Sequence, residues 1–447
     1  MSQSTRVVSP NVEIKPVSAV INEAGHLTIG GCDVVELAQK FGTPLYIVDE
    51  ATIRASAAAF QAGLAGYKKA RPLYAGKAFL CTAMCHLIKK LGLGLDVVSE
   101  GELYTAQKAG FPAEITYLHG NSKSEQELTA ALKVAGLKIV LDGPQEALLL
   151  AQIARKLKAI ATVLIRVTPG VEPDTHEHIK TGQHNSKFGV QLEQLDETVR
   201  LIKENSDVLN LIGLHAHIGS QSHDLGPFLE SIDIMAERFA SIKNKFGIEL
   251  TQLDVGGGLG IAYTEADKPT PIFDWAKAVA DRVLESFNSR KMELPELFIE
   301  PGRSLIGTAG ITIYRAGHTK DIEGQSKFLA VDGGMADNPR PITYQAKYTT
   351  CVANKMNDPK PAKPISLVGR YCESGDIIVK EAYLSAEPGD LIAVFGTGAY
   401  NYSMASNYNR TTRLACVLVS DGQAEIIIER ETNEDLVRND RVPERLR

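Results

Sequence analysis

The sequence predicts an α/β protein built as a (β/α)8 TIM-type barrel with a second, mainly antiparallel β-domain. Three observations carry that expectation. Short β-branched runs recur between longer amphipathic stretches, reactive side chains gather where those runs end, and the texture of the chain changes after Ser304. Such alternation suits a parallel sheet, because each parallel strand needs a crossover, usually a helix, to reach the next.

Size and charge set the frame. The chain has 447 residues, 44% of them apolar, enough for a large core and two or three domains. Its formal net charge is −6 with both signs dispersed, so no basic stripe offers a footprint for nucleic acid or an anionic membrane, and a small-molecule partner is expected. Residues 1–18 are polar without an apolar signal core, and later apolar runs are broken by charge well short of a membrane span, which reads as a cytoplasmic protein. Six cysteines are too sparse for a disulfide scaffold and none forms a C-x-x-C pair. Cys81, Cys85 and His86 lie close together, but the stretch with His176, His178 and His184 brings no matching thiols, so no metal is expected.

The strand-like runs number eight: 72–77 (PLYAGK), 94–99 (GLDVVS), 115–121 (ITYLHGN), 138–143 (KIVLDG), 163–169 (VLIRVTP), 212–219 (IGLHAHIG), 253–258 (LDVGGG) and 297–303 (LFIEPGR). Between them lie helix-like segments such as 100–109, 124–135, 144–158, 225–244 and 273–289, several opened by Ser, Pro or an acidic residue. Eight units close into a barrel, whose catalytic groups gather at the C-terminal ends of the strands. Those ends carry Lys77, Asp96, Ser99, His119, Asn121, Arg166, His217, Ser220, Gly256 to Gly258, Glu300 and Arg303. Reactive types stand where a bland scaffold would place turn residues, and this argues for an enzyme.

After Ser304 come short strand-like runs at 310–314, 328–331, 364–368, 391–395, 414–419 and 425–429. They read as an antiparallel domain, joined by the 27–37 region because the barrel strands begin only near Pro72. The expected division is an N-terminal segment, 1–45, contributing to the β-domain, a barrel over 46–305, and a C-terminal β-domain over 306–447. The charged stretch 431–447 reads as a solvated helix or tail.

Four local patterns carry chemistry, each with a plainer reading beside it. Lys77 sits in the apolar YAGKA setting, where desolvation favours the neutral amine that attacks an aldehyde; a snorkelling or ion-paired lysine fits the same pattern. The triplet Gly256, Gly257 and Gly258 lets backbone approach an anion such as phosphate, or simply makes a tight turn. Glu300 can hold a proton on a heterocyclic nitrogen while Arg303, three residues on, offers a fork for phosphate or carboxylate; the alternative is an internal Glu–Arg pair. His215 and His217 share a strand face two residues apart, open to metal binding, to stacking on a planar cofactor with Ser220 at its phosphate, or to a pair of core histidines.

Taken in order, the motifs YAGKAF, GLGLDVVSEGEL, LHGNSKSEQEL, TGQHNSKFGV, GLHAHIGSQ, DVGGGLGIAY, EPGRS, VDGGMADNPRPITY, CESGD and GAYNYSMASNYN run from about Pro44 to Leu436. The chain thereby resembles the decarboxylases of diaminopimelate, ornithine and arginine in the alanine-racemase-like class, which use pyridoxal 5'-phosphate. The resemblance implies that Lys77 bonds the cofactor's aldehyde, His217 stacks on its ring and Glu300 meets the ring nitrogen. It gives the rest of the cofactor contacts to Asp96, Ser220, Gly256, Gly257, Gly258, Gly302, Arg303 and Tyr400. It also implies that Cys372 reaches in from a partner subunit to protonate the product carbon, making a homodimer with shared active sites, and that neighbouring Glu373 meets the substrate's ammonium. Diaminopimelate carries a second amino-acid head that calls for cationic forks, which ornithine does not. Arg303, Arg340 and Tyr344 beside Glu373, with Tyr400, match that need, so the expected reaction is decarboxylation of meso-diaminopimelate to L-lysine. The rivals are an ornithine, arginine or carboxypolyamine decarboxylase, a catalytically silent homologue of the same barrel, and an amino-acid racemase. Two stretches depart from the commoner family pattern: LACVL at 414–418 lacks a glutamate, and Asp337, Asn338 and Pro339 replace a more apolar approach to Arg340.

Overall fold

The computed structural model of the chain describes residues 7–171, 186–323, 326–359, 361 and 363–447. His176, His178 and His184 lie outside the described residues. The chain divides into two compact units. Met1–Val12, Arg54–Ile261 and Lys268–Leu305 form the first, and Glu13–Ile53, Ala262–Asp267 and Ile306–Arg447 form the second.

In the first unit eight parallel strands form the closed ring: β1 (Ala70–Ala75), β2 (Gly94–Val97), β3 (Thr116–Leu118), β4 (Lys138–Leu141), β5 (Ala161–Thr168), β6 (Leu209–Ala216), β7 (Gln252–Asp254) and β8 (Glu296–Ile299), with a further two-residue strand, Val190–Gln191, parallel to the end of β5. Each of the eight pairs with the next, and Leu297 of β8 lies opposite Ala70 of β1, so the sheet closes into the predicted barrel. Most of the sequence runs extend a few residues beyond the strands, because they include the loop that follows each one.

Helices cover the outside, and local chemistry sets where they start. The Ser99 side chain accepts from the Glu102 N–H, Ser124 and Glu127 form a reciprocal capping box, and Pro144 occupies the first turn of Pro144–Leu157. Ser99 is thus a helix cap and not a group of the site.

The barrel interior is layered by the two-residue period of its strands. Leu73, Tyr117, Val140, Leu164 and Phe298 form one buried apolar cluster, with the Tyr117 and Phe298 rings 5.3 Å apart. Moving two residues toward the C-terminal end of β3, β4, β5 and β8 replaces Tyr117 by His119, Val140 by Asp142, Leu164 by Arg166 and Phe298 by Glu300. The apolar layer is therefore the floor on which an ionisable layer stands.

The second unit is a mainly antiparallel sheet. Gly310–Ile322 pairs antiparallel with Leu391–Phe395, Ser326–Val331 and Leu45–Asp49. Leu45–Asp49, wholly buried, also runs parallel to Ala415–Ser420. Residues 46–53, assigned to the barrel by sequence, therefore belong to this sheet and to the start of the helix Glu50–Leu64 that follows it. Their five-residue apolar run resembles a barrel strand, and only its partners tell the two apart. Leu27, Ile29 and Leu37 pack into the same core as Ile47, Ile313 and Val417. Ala415 and Val417 of the LACVL stretch pack into that core, and Cys416 between them is also buried. At the C-terminus a short helix, Asn433–Val437, is capped by Thr432 and lies exposed or half-exposed. No described helix is long and apolar enough to cross a membrane. All six cysteines are free thiols.

Truncating the barrel floor at a fully buried residue, Leu164→Ala, is expected to destabilise the protein by about 2–5 kcal/mol in urea unfolding, whereas Leu148→Ala on the exposed helix face should stay within about 0.5 kcal/mol.

Candidate active site

Lys77 stands in the 3-10 turn Gly76–Ala78 immediately after β1. Its Nζ lies 3.7 Å from Oδ2 of the fully buried Asp96, while the lysine side chain keeps about a third of its surface, 35%, open. A half-buried lysine beside an enclosed carboxylate is oriented and still reachable. The ion-paired reading of this lysine therefore describes its resting contact and leaves its nucleophilic role open.

Glu300 immediately follows β8, the strand that neighbours β1. Its Oε2 meets His215 Nε2 at 3.1 Å and its Oε1 lies 2.8 Å from His119 Nε2. The two imidazoles pack edge to face, centroids 4.8 Å apart. His119 Nε2 also lies 3.8 Å from Asp96 Oδ1. Burial alone would raise the Glu300 pKa, but the charges and hydrogen bonds of His119 and His215 outweigh it and hold the carboxyl well below the usual range. Burial acts the other way on His215, pulling it down to about 4 despite the Glu300 charge beside it. Asp96 is raised by burial, against His119 and Lys77.

The histidine pair of β6 does not share one strand face. The strand ends at Ala216, and the two rings part, His215 toward Glu300 and the half-buried His217 toward the glycine loop, where its Nδ1 accepts from the Gly257 N–H at 3.2 Å. Burial, then the nearby Lys77 and Arg166 charges, push His217 well below the usual histidine range. The glycine triplet is a place of close backbone approach. A Cβ on Gly256, Gly257 or Gly258 would sit on the carbonyl oxygen of Ala216, Glu300 or Gly219 respectively, and Gly256 and Gly258 adopt φ of +69° and +119°. Two of its amides are not turned outward as the sequence suggested: Gly256 donates to Asp254 and Gly257 to His217. Arg303 Nη2 donates to Ser220 Oγ at 2.9 Å, so the arginine of EPGR works beside Ser220 while its glutamate is engaged by histidines. Gly302 is buried in the same turn, its carbonyl accepting from Leu305.

The remaining predicted residues belong to the second unit. Arg340 is buried at the start of the short helix Arg340–Tyr344, donates to Tyr348 Oη at 2.7 Å and lies 4.8 Å over the Tyr263 ring. Its Nε has no hydrogen-bond partner among the described residues. Tyr344 closes that helix half-exposed, and Tyr400 is half-buried at φ +61°. Cys372 and Glu373 are exposed, and the Cys372 N–H donates to Asn409 Oδ1 at 2.9 Å. Their loop is pinned by Asp376, whose carboxylate accepts from the Met335 and Tyr371 amides. Asp337, which looked out of place before Arg340, is an anchor: it accepts from Tyr314 at 2.8 Å, Tyr371 at 3.1 Å and the Gly334 amide at 3.0 Å.

The first unit's residues fit pyridoxal phosphate. Neither oxygen of Asp96 and not Oε1 of Glu300 accepts an aligned hydrogen bond among the described residues, although all are enclosed. Buried acceptors in that state call for a donor. A ring N–H meets that requirement at Glu300, while the Lys77 amine suits an aldehyde and the Ser220 and Arg303 donors suit a phosphate. Sequence reading gave no role to His119 and Arg166, though it named both, or to Asp254. The signal that would have found His119 and Arg166 is their position two residues beyond an apolar floor residue on the same strand.

The fold and this site define a pyridoxal-dependent decarboxylase, and the family model described as "Pyridoxal-dependent decarboxylase, pyridoxal binding domain" matches residues 50–307. The chain is 45% identical over 451 residues to the diaminopimelate decarboxylase of Synechocystis sp., covering 98% of this chain and 95% of that one. It is 44% identical over 423 residues to that of Bacillus subtilis, covering 94% and 96%. Among solved structures, the diaminopimelate decarboxylase of M. jannaschii in co-complex with L-lysine superposes with a TM-score of 0.89 at 35% identity, over 96% of this chain and 99% of that one. The chain belongs to the diaminopimelate decarboxylase family.

Because the unfolded chain protonates His215 near 6.5 and the folded chain only near 4, the unfolded state binds more protons between these values. Stability should therefore fall as pH drops through that window. Between pH 7 and 5 the wild-type protein is expected to lose about 1–2 kcal/mol more than His215→Gln, read from urea midpoints at the two pH values.

Proposed function

We propose that the protein removes one carboxylate of meso-diaminopimelate to release L-lysine and CO2, with pyridoxal phosphate bound at the barrel mouth. The observation that carries the site reading is the chain of contacts from Lys77 through Asp96 and His119 to Glu300, which links an amine and an acid held in its ionised form by one line of close side-chain contacts.

Bound there, the cofactor supplies an aldehyde to take up the substrate's amine and a protonated ring to accept the electron pair left by CO2. Lys77 holds the aldehyde until substrate arrives, and Asp96 steadies its charge when it is released as an ammonium. Glu300 keeps the proton on the ring nitrogen, and His217 covers one face of the ring with an imidazole held neutral by burial. Ser220, Arg303 and Tyr400 receive the phosphate, with Gly256 to Gly258 and Gly302 lining its place by close backbone packing, since Asp254 and His217 already hold the Gly256 and Gly257 amides.

The substrate's far end distinguishes it from a diamine precursor. Arg340 is a buried guanidinium that no described acidic side chain pairs with, and a cation so placed suits a carboxylate and repels an ammonium. Arg303 and Tyr344 complete the reading for the distal amino-acid head, and Glu373 takes its ammonium. Cys372, exposed on its anchored loop, delivers a proton to the carbon that lost CO2 in the active site of a partner subunit, so the working form is a cytoplasmic homodimer.

Purified protein with pyridoxal phosphate should release CO2 from meso-diaminopimelate far faster than from ornithine or arginine, and Lys77→Ala should abolish both turnover and the absorbance of covalently held cofactor; preference for ornithine overturns the substrate, and an active Lys77→Ala overturns the site. Cys372→Ala is expected to lower kcat about 10²–10⁴-fold, the range for a lost proton donor, while cofactor affinity holds. Unchanged kinetics in that variant would remove Cys372 from the reaction.

A further inference from the structure

The buried groups around Glu300 form more than a holder for one carboxylate. Asp96 and Asp254 are enclosed with it, and each raises the cost of a second negative charge nearby. Between Glu300 and Asp96 stands one imidazole. His119 Nε2 is 2.8 Å from Glu300 Oε1 and 3.8 Å from Asp96 Oδ1, and the other oxygen of Asp96 is 3.7 Å from Lys77 Nζ. The His119 ring is 4% exposed and rests edge to face on His215, which itself bonds the second oxygen of Glu300. Its position is thus determined from two sides.

We propose that His119 is a positioning residue of the decarboxylation, tying the acid at the ring-nitrogen end of the site to the Asp96–Lys77 pair at the aldehyde end. The inference rests on the pyridoxal-phosphate reading of the site and deepens it. Without the imidazole at this place Glu300 keeps His215, and the two buried carboxylates share only the charge of Arg166, so their repulsion favours a proton on one of them. If that proton settles on Glu300, the acid no longer holds the ring nitrogen protonated. If it settles on Asp96, the lysine loses its counter-charge. Either way the two ends of the site stop acting together, although His119 touches neither cofactor nor substrate in this role.

The test uses the full chain reconstituted with pyridoxal phosphate and compares His119→Leu, which keeps bulk and removes the donor, with His119→Gln, which keeps an N–H. His119→Leu is expected to lower kcat and cofactor affinity each by about 10–100-fold, the range for outer partners of a cofactor-bound group, with KM for substrate much less affected. It should also change the pH dependence of the bound cofactor's absorbance, a signature that loose packing would not move. His119→Gln should restore most of the affinity and a near wild-type absorbance profile. A folded His119→Leu with wild-type affinity, spectrum and kcat overturns the proposal, as do Leu and Gln variants equally impaired, which would make the role one of packing. Should His119→Leu fail to fold, His119→Gln decides alone: retained absorbance profile and affinity support the assignment, and loss of both at an unchanged melting temperature overturns it. A wild-type chain that shows no bound-cofactor absorbance removes the reading of the site itself, whereas wild-type binding with an indifferent His119 removes only this residue's role.

Discussion

A carboxylate stays ionised inside a barrel only where other groups answer its charge, and the first unit is organised around meeting that condition at Glu300. The answer comes from two different strands. His119 follows β3 and His215 ends β6, and they reach one oxygen each of a residue at the end of β8. Closure of the ring is what brings these strand ends within hydrogen-bond distance, so the chemistry depends on the topology and not on any local motif.

The same constraint explains why the apolar floor matters. Leu73, Tyr117, Val140, Leu164 and Phe298 exclude water from below, which raises the cost of every charge above them and strengthens each pairing there. Asp96, Glu300 and His215 are displaced from their ordinary protonation behaviour by this burial together with their contacts. Lys77, unlike Asp96, Glu300 and His215, keeps about a third of its side-chain surface, 35%, open.

The second unit solves a different problem, holding exposed reactive groups still. Cys372 and Glu373 project from a loop whose neighbours are tied down by buried acids. Asp376 binds the amides of Met335 and Tyr371, and Asp337 gathers the hydroxyls of Tyr314 and Tyr371. Gly334 and Gly369 leave room for Asp376, since a side chain at either would collide with its carboxylate. The Asp337 departure from the commoner family pattern is thus part of the scaffold under Arg340.

By itself the sequence determined the eight strand runs, most of the helices between them, the change of texture after Ser304 and the reactive residues at strand ends. These are recorded locally, in periodicity, caps and turn residues within a few positions of each other. It did not disclose that Leu45–Asp49 joins the second sheet, that His215 and His217 turn to different partners, or that His119 bridges Asp96 and Glu300. Each of those outcomes is a choice of partner. An apolar run of five residues satisfies either sheet, and an imidazole binds whichever carboxylate is brought near it. The strands Gly310–Ile322 and Ala415–Ser420 make the first choice by pairing with Leu45–Asp49, and the closed barrel, by fixing which strand ends meet at its mouth, makes the other two.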